Sequence, residues 1–309
     1  MNRFFEKKLN SFRKRVSPLA RFWLSRKINQ VVIKQKGGLA SQLGLYMFGE
    51  YLRIYCGKNV FYDLSWFKTN GMDILGKNSR KWELENCFEL EIPIADPNIT
   101  ETLKKWARLK AKNQFVFDET PERTPPPFYW ESEMSAVEYK IKMAIFFQNL
   151  KFKANVLAGT REDAEEIGRW GNSVSVHVRR GDFVGSIHDI CGIDYYKRAF
   201  DILFQKLKNK NGIKFFVFSN GFDWVKEYLL PLIPSEIPVQ LMEKNDNDHM
   251  HGDFFLMSHC KHQIVPNSGF STFATLLKPV EDRIVIEPDE VVLGVKNKPF
   301  PGHIYVPIR

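Results

Sequence analysis

Two rhythms of apolar positions run along this chain of 309 residues: short β-rich runs, and longer stretches spaced by three and four. Val31-Val32-Ile33 leads into Lys36-Gly37-Gly38-Leu39, a helical stretch follows from about Ser41 to Tyr55, and Val60-Phe61-Tyr62-Asp63 reads as the next strand. Strand, glycine turn, helix and strand make a βαβ unit. Residues 64–120 are patterned weakly, with strand-like pieces and a helix around Glu101–Lys112. Thr120 to Pro127 holds four prolines and reads as a loop or linker. Helices are expected over Glu138–Leu150 and Arg161–Trp170.

The alternation then restarts. Strands are predicted at Ser173–Val178, Lys214–Ser219, Val239–Met242, Gln263–Val265 and Arg283–Ile286, with helices at Ile193–Asn209, Asp223–Leu230, Asp253–Cys260 and Ser271–Leu277 between them. Such alternation predicts an α/β fold whose mostly parallel sheet is covered on both faces. Two such units facing across a cleft would suit a sugar-nucleotide enzyme. No internal repeat is present.

Composition changes little in this picture; charge placement changes more. With 44% hydrophobic and 26% charged residues the chain is ordinary globular material. Cys56, Cys87, Cys191 and Cys260 lie far apart with no C-x-x-C pair, so reduced thiols are expected rather than a zinc ribbon or a disulfide scaffold. The net charge is +9, yet residues 1–30 hold nine Lys/Arg against Glu6 alone, and the rest of the chain is close to neutral. A duplex-binding protein would spread basic charge over a docking face, so nucleic acid is not the expected partner. Phe5, Leu9, Phe12, Val16, Leu19 and Trp23 form an apolar stripe within that basic leader. This is the pattern of a helix lying in an anionic membrane surface, through residues 1–28; a helix docked on its own protein, or a basic tail, is the alternative. Pro18 would kink it. No run of 18 apolar residues crosses a membrane, and no signal peptide is encoded.

The sharpest chemical feature is Val176-His177-Val178-Arg179-Arg180-Gly181-Asp182. Along a strand His177 and Arg179 share one face and Arg180 points the other way. Guanidinium groups at the C-terminal end of a strand in an open α/β sheet sit where ligands bind, and their bidentate forks suit diphosphate oxygens. Asp182 would orient one arginine; the alternative is an ion-pair network that merely holds a turn. Two further strands end in small polar residues, at Ser219-Asn220 and at Pro266-Asn267-Ser268-Gly269-Phe270-Ser271-Thr272, where hydroxyl donors meet a helix start.

In order along the chain, Gly37-Gly38-Leu39-Ala40-Ser41-Gln42, Tyr129-Trp130-Glu131-Ser132-Glu133, His177-x-Arg179-Arg180-Gly181-Asp182, Gly192 to Lys197, Phe216 to Ser219 and Asp253 to Ser268 resemble the inverting GDP-fucose-dependent fucosyltransferases, especially the α-1,2 enzymes. The resemblance spans about Val32 to Pro288. It departs at Ala40-Ser41, where the family has Gly-Asn, and at Thr272-Phe273, where it has a Trp pair.

The resemblance implies a GT-B-type α/β enzyme of two Rossmann-like lobes with the site in the cleft. Residues 31–160 would form the acceptor-side domain and 161–309 the GDP-fucose-binding domain, behind the leader 1–30. L-Fucose would pass from GDP-fucose to a glycan hydroxyl, the 2-OH of a galactose in a surface polysaccharide; the alternatives are another fucosyl linkage or acceptor, or a non-catalytic nucleotide- or glycan-binding relative. The expected place is the bacterial cytoplasm, peripheral on the inner face of the membrane. Arg179 would meet the charge growing on the departing β-phosphate, worth roughly 3–4 kcal/mol by analogy with one oxyanion donor. His177 would contact the nucleotide and Asp253 the guanine edge. Ser268, Ser271 and Thr272 would donate to the diphosphate. Gly37, Gly38, Ser41, Gln42, Arg180, Ser219, Asn267 and Phe270 would complete the donor site. Asp182, His188, Glu131 and Glu133 are candidates for the general base, and none is assigned. Asp246-Asn247-Asp248-His249 invites a metal reading, but with arginines at the diphosphate the activity is expected to need no metal or other cofactor.

Overall fold

The structure is a computed structural model that describes residues 30–69, 71–72, 76, 79–98, 100–101, 129–130, 144, 146–244 and 250–309. The expected leader, the helix at 101–112, the Pro-rich segment, Glu131, Glu133 and residues 246–249 lie outside them, as does most of the helix expected at 138–150. The chain divides into two compact units whose segments interleave: the described parts of Met1–Lys36, Gly44–Thr69 and Ile92–Met134 in one; Gly37–Leu43, Asn70–Glu91 and Ser135–Arg309 in the other.

In the first unit, β1 (Gln30–Lys34), β2 (Asn59–Asp63) and β3 (Tyr129–Trp130) form a parallel sheet in the order β2-β1-β3. Parallel strands need a crossover, and α1 (Leu39–Cys56) supplies it between β1 and β2. Phe48 of α1 packs its ring 4.9 Å from that of Trp130. The buried Tyr62 hydroxyl donates to the Tyr46 carbonyl at 3.0 Å, so an apolar interior carries no unmet polar tip there.

The second unit is built on β4 (Asn172–Val178), β5 (Ile213–Ser219), β6 (Val239–Leu241), β7 (His262–Ile264), β8 (Val285–Pro288), a short antiparallel hairpin of β9 (Glu290–Val292) and β10 (Val295–Lys296), and β11 (His303–Val306). Six of these strands form one parallel sheet in the order β11-β8-β7-β4-β5-β6. Helices α2 (Ala154–Gly168), α3 (Ile193–Lys206), α4 (Met250–His259) and α5 (Gly269–Ala274) connect them.

Alternation along β4 sorts its side chains. Val174, Val176 and Val178 join Tyr195, Tyr196, Ala199, Phe200 and Leu203 of α3 with Phe215 and Val217 in one buried cluster. On β5 the alternate residue Lys214 reaches Glu166 of α2 at 2.6 Å. Every β4 residue is buried, as a central strand covered on both faces should be.

Differences from the sequence expectation are local. Helix α2 begins at Ala154, seven residues before the predicted start. The helix expected at 223–230 is a composite: an α turn at Phe222–Trp224, a π turn at Val225–Leu229 and a 3-10 turn at Leu230–Leu232. Pro231 lacks the N–H that a continuing α-helix would use. Strand β11, too short and too close to Pro301-Gly302 to read as one, adds an edge beside β8. Among the described residues no disulfide joins the four cysteines.

Candidate functional site

Strand order locates the site. From β4 the chain winds outward through β5 and β6, then returns to lay β7 on the opposite side of β4, continuing through β8 to β11. The C-terminal ends of β4 and β7 are therefore a topological switch point, where connections diverge and leave a crevice. His177 and residues 179–182 lie at one end, Pro266 to Thr272 at the other.

His177 ties the two ends together. Its Nδ1 lies 2.8 Å from Ser271 Oγ, and that hydroxyl is also 3.3 Å from the Ser268 carbonyl. The Tyr196 hydroxyl donates to the His177 carbonyl at 2.9 Å, and the Phe270 ring centroid is 5.9 Å from the imidazole. Burial, with the Arg179 charge nearby, pushes the imidazole down to about 3, so it is neutral at physiological pH.

Beyond Val178 the arginines part, as alternation predicts. Arg179 pairs with Asp182, Nη2 to Oδ1 at 2.6 Å, and stands 5.5 Å over the Phe183 ring. The other carboxylate oxygen of Asp182 receives Arg80 Nη2 at 2.9 Å. Arg180 turns toward Asp189, 2.9 Å away, and lies 5.1 Å over the Trp224 ring. Its backbone N–H donates to Asn220 Oδ1 at 2.7 Å, while Ser219 Oγ takes the Gly221 N–H at 2.9 Å. Gly181 is required between them: its φ is +37°, and a Cβ there would come within 2.3 Å of Asn220 Nδ2. Among the described residues, three guanidinium groups and two carboxylates meet here, with Asp182 buried and Arg80 and Arg179 still 19% and 21% exposed.

Several residues expected to touch the donor also make hydrogen bonds within the chain. Gln42 is fully buried: its Nε2 donates to the carbonyls of Gly37 at 2.9 Å and Lys81 at 2.8 Å, and its Oε1 accepts from Glu83 N–H at 2.9 Å. It clamps the Gly37-Gly38 turn to residues 81–83. Asn267 spends both amide hydrogens on the carbonyls of His188 (3.0 Å) and Val291 (2.9 Å). Ser271, hydrogen-bonded to His177, is fully buried, and Ser268 is also buried. Ser41, Phe270, Thr272 and Asp253, the last in the first turn of α4, are half-buried. His188 stacks on Phe183, ring centroids 5.1 Å apart. Among the described residues no group of three or more His, Cys, Asp or Glu side chains is arranged to hold a metal ion. Arg80 has no sequence signal at all: its partner lies 102 residues away.

With this geometry in view, the likenesses to known proteins fall into place. An α-1,2-colitosyltransferase of Escherichia coli is 26% identical over 275 residues, 84% of this chain and 91% of that protein. The O-antigen biosynthesis glycosyltransferase WbnK of Escherichia coli is 28% identical over 128 residues, 40% of each chain. Among solved structures, the fucosyltransferase NodZ from Bradyrhizobium superposes with a TM-score of 0.51 at 16% identity, over 87% of this chain and 97% of that one. Arabidopsis thaliana FUT1, a mutant in complex with GDP, gives 0.52 at 9% identity, over 93% and 78%. At such identities the likeness is one of fold, and that fold is the GT-B type. The model of glycosyl transferase family 11 matches residues 127–291, more than half of the sequence and most of the parallel sheet described above, and the chain belongs to that family.

Proposed function

We propose that this glycosyltransferase moves L-fucose from GDP-fucose to a glycan hydroxyl with inversion, the acceptor being the 2-OH of a galactose in a surface polysaccharide. The observation that carries the reading is the pair of guanidinium groups, Arg179 and Arg80, sharing the buried carboxylate of Asp182 at the switch point of the sheet. A nucleoside diphosphate leaving group gains negative charge as the glycosidic bond breaks, and fixed cations stabilise that charge more than they stabilise the ground state. In this reading Arg179 faces the departing β-phosphate, neutral His177 and Asp253 serve the nucleotide, and no divalent metal is needed. Residues 1–28 rest on the inner face of a bacterial membrane; no helix among the described residues is long and apolar enough to cross one.

The test is GDP release from GDP-fucose over a panel of galactose-terminated acceptors, with the product linkage read by NMR and the assay repeated in excess EDTA. Turnover in EDTA and an α-1,2 product are expected; GDP binding without turnover on any acceptor would mark a non-catalytic relative. A second donor earns its own arm, because the relative that covers 84% of this chain is named for colitose. Faster turnover of GDP-colitose than of GDP-fucose would reassign the sugar and leave the site unchanged.

A further inference from the structure

We infer that Arg80 is a positioning residue of the transfer site: acting through Asp182, it sets the direction in which Arg179 presents its guanidinium. The inference rests on the reading above for its chemistry, and on geometry alone for its mechanics.

A carboxylate held by one arginine can rotate about its last torsion and carry its partner with it. Asp182 is held on both oxygens, by Arg179 at 2.6 Å on Oδ1 and by Arg80 at 2.9 Å on Oδ2. Its side chain is only 6% exposed, so water cannot substitute freely for either partner. Fixing the second oxygen removes the rotation: the Arg80 contact is a hydrogen bond as well as an ion pair, directional as well as strong, whereas the Arg179 contact is an ion pair that follows wherever the carboxylate is aimed.

Arg80 is itself well anchored. Its backbone N–H donates to the Gly71 carbonyl. On its C-terminal side the Lys81 carbonyl and the Glu83 N–H are both held by the buried Gln42 amide, which also holds Gly37. A Cβ on Gly38 would stand 3.7 Å from Arg80 Nη1, so the glycine turn packs directly against the guanidinium. Within one compact unit, residues 37–42 thus brace 80–83, and Arg80 from that braced stretch meets the Asp182 carboxylate. Neutralising Asp182 needs only one arginine. A second one puts two guanidinium groups on one buried carboxylate at the strand end, which fixes its orientation as a single arginine would not.

The experiment compares wild type with Arg80→Ala, Arg80→Lys, Asp182→Asn and the Arg80→Ala/Asp182→Asn double variant, in the full chain, after thermal unfolding confirms that each is folded. Nitrogen-15 arginine spectra, with the Arg179 signal assigned by its loss in Arg179→Lys, read positioning without any donor. The Arg179 Nε–H signal is expected to broaden and its Cζ–Nε rotation to quicken in Arg80→Ala, with Arg80→Lys in between; an unchanged Arg179 signal would overturn the inference whatever the sugar is. In turnover, Arg80→Ala should lower kcat by about 30-fold while GDP affinity by calorimetry falls by less than about threefold, since a misaimed cation still attracts the ground-state anion. Millimolar guanidinium should restore part of the loss. In the Asp182→Asn background, Arg80→Ala should add no more than about a twofold further loss, because both act on one partner. The same loss in both backgrounds would mean that Arg80 acts independently of Asp182 and would also overturn the inference. A wild type that releases no GDP from GDP-fucose refutes the donor reading alone, since the Arg179 spectrum still decides the role of Arg80.

Discussion

His177 Nδ1 lies 2.8 Å from Ser271 Oγ, a contact that joins the end of β4 to the segment after β7 across the switch point. The ring in this contact is neutral at physiological pH. Burial holds His177 down at about 3, and His262 on β7, pushed by burial and by Lys261 and Arg283, lies at about 4. Both values are below that of an unfolded histidine, so the unfolded chain binds more protons as pH falls. Their stabilisation is complete above about pH 6.5 and is lost progressively as pH drops toward 4 and 3, at up to about 1.4 kcal/mol per pH unit for each ring. Urea unfolding at pH 7 and pH 5 should differ by about 2–4 kcal/mol. His177→Gln should flatten that dependence, and equal midpoints at the two pH values would show that the rings take up protons in the folded state.

Gln42 invites a sharper test, because its amide meets three backbone groups at once. Gln42→Leu keeps the volume and abandons all three, which should cost about 3 kcal/mol at roughly 1 kcal/mol per bond, and more where the orphaned groups stay dry. Gln42→Glu can still accept from Glu83 N–H but turns both donors into repulsive contacts, so it should be the worse variant. Urea midpoints rank the two; a Leu variant as stable as wild type would show that water replaces the amide.

What could be read from the sequence, and what could not, divides along a physical line. Strands β4 and β5 were legible because a central parallel strand is continuously apolar or small, and Val176 through Asp182 was legible because alternation sends neighbouring arginines apart. Gln42, Asn267 and Ser271 were legible only as polar groups near a turn. A sequence gives their capacity for hydrogen bonds, not the direction of each bond: Gln42 and Ser271 are buried, and the half-buried Asn267 donates to two backbone carbonyls. Arg80 was invisible because nothing local requires it: its partner comes from another strand's end, and its neighbourhood at 70–83 carries little periodic pattern. The composite helix at 222–232 looked regular because Pro231 sits at the end of the run rather than in its middle.

Gly181 stands at a positive φ of 37° against Asn220, the residue that anchors the Arg180 backbone. Gly181→Ala combines backbone strain with displacement of that side chain, and should cost about 2 kcal/mol. Asn220→Ala alone should cost about 1 kcal/mol for the lost bond. The double variant should be more stable than the sum of the two, since truncating Asn220 removes the clash that the new methyl creates. Strict additivity in a double-mutant cycle of unfolding free energies would show that the two residues do not press on each other.

Arg283 closes the polar ends of two helices and takes no part in the site. Its guanidinium donates to five carbonyls: Lys261 at 3.2 Å, Thr275 at 2.9 Å, Lys278 at 2.8 Å, Ser258 at 2.9 Å and Cys260 at 3.0 Å. These carbonyls lie at and just beyond the C-terminal ends of α4 and α5, where a helix leaves its last acceptors without internal partners. Burial pulls the group down only to about 10, so it keeps the charge that suits a helix C-terminus. Lysine has three donors on one atom and cannot span the two helix ends, so Arg283→Lys should lose about 2–4 kcal/mol and Arg283→Met more, because the methionine meets none of the acceptors. Because no part of Arg283 faces the arginine cluster, kcat for sugar transfer by the folded Arg283→Lys protein, measured well below its lowered Tm, should stay within about twofold of wild type. A large fall in kcat at unchanged stability would mean that the α4 and α5 ends are coupled to the site and that Arg283 governs its geometry.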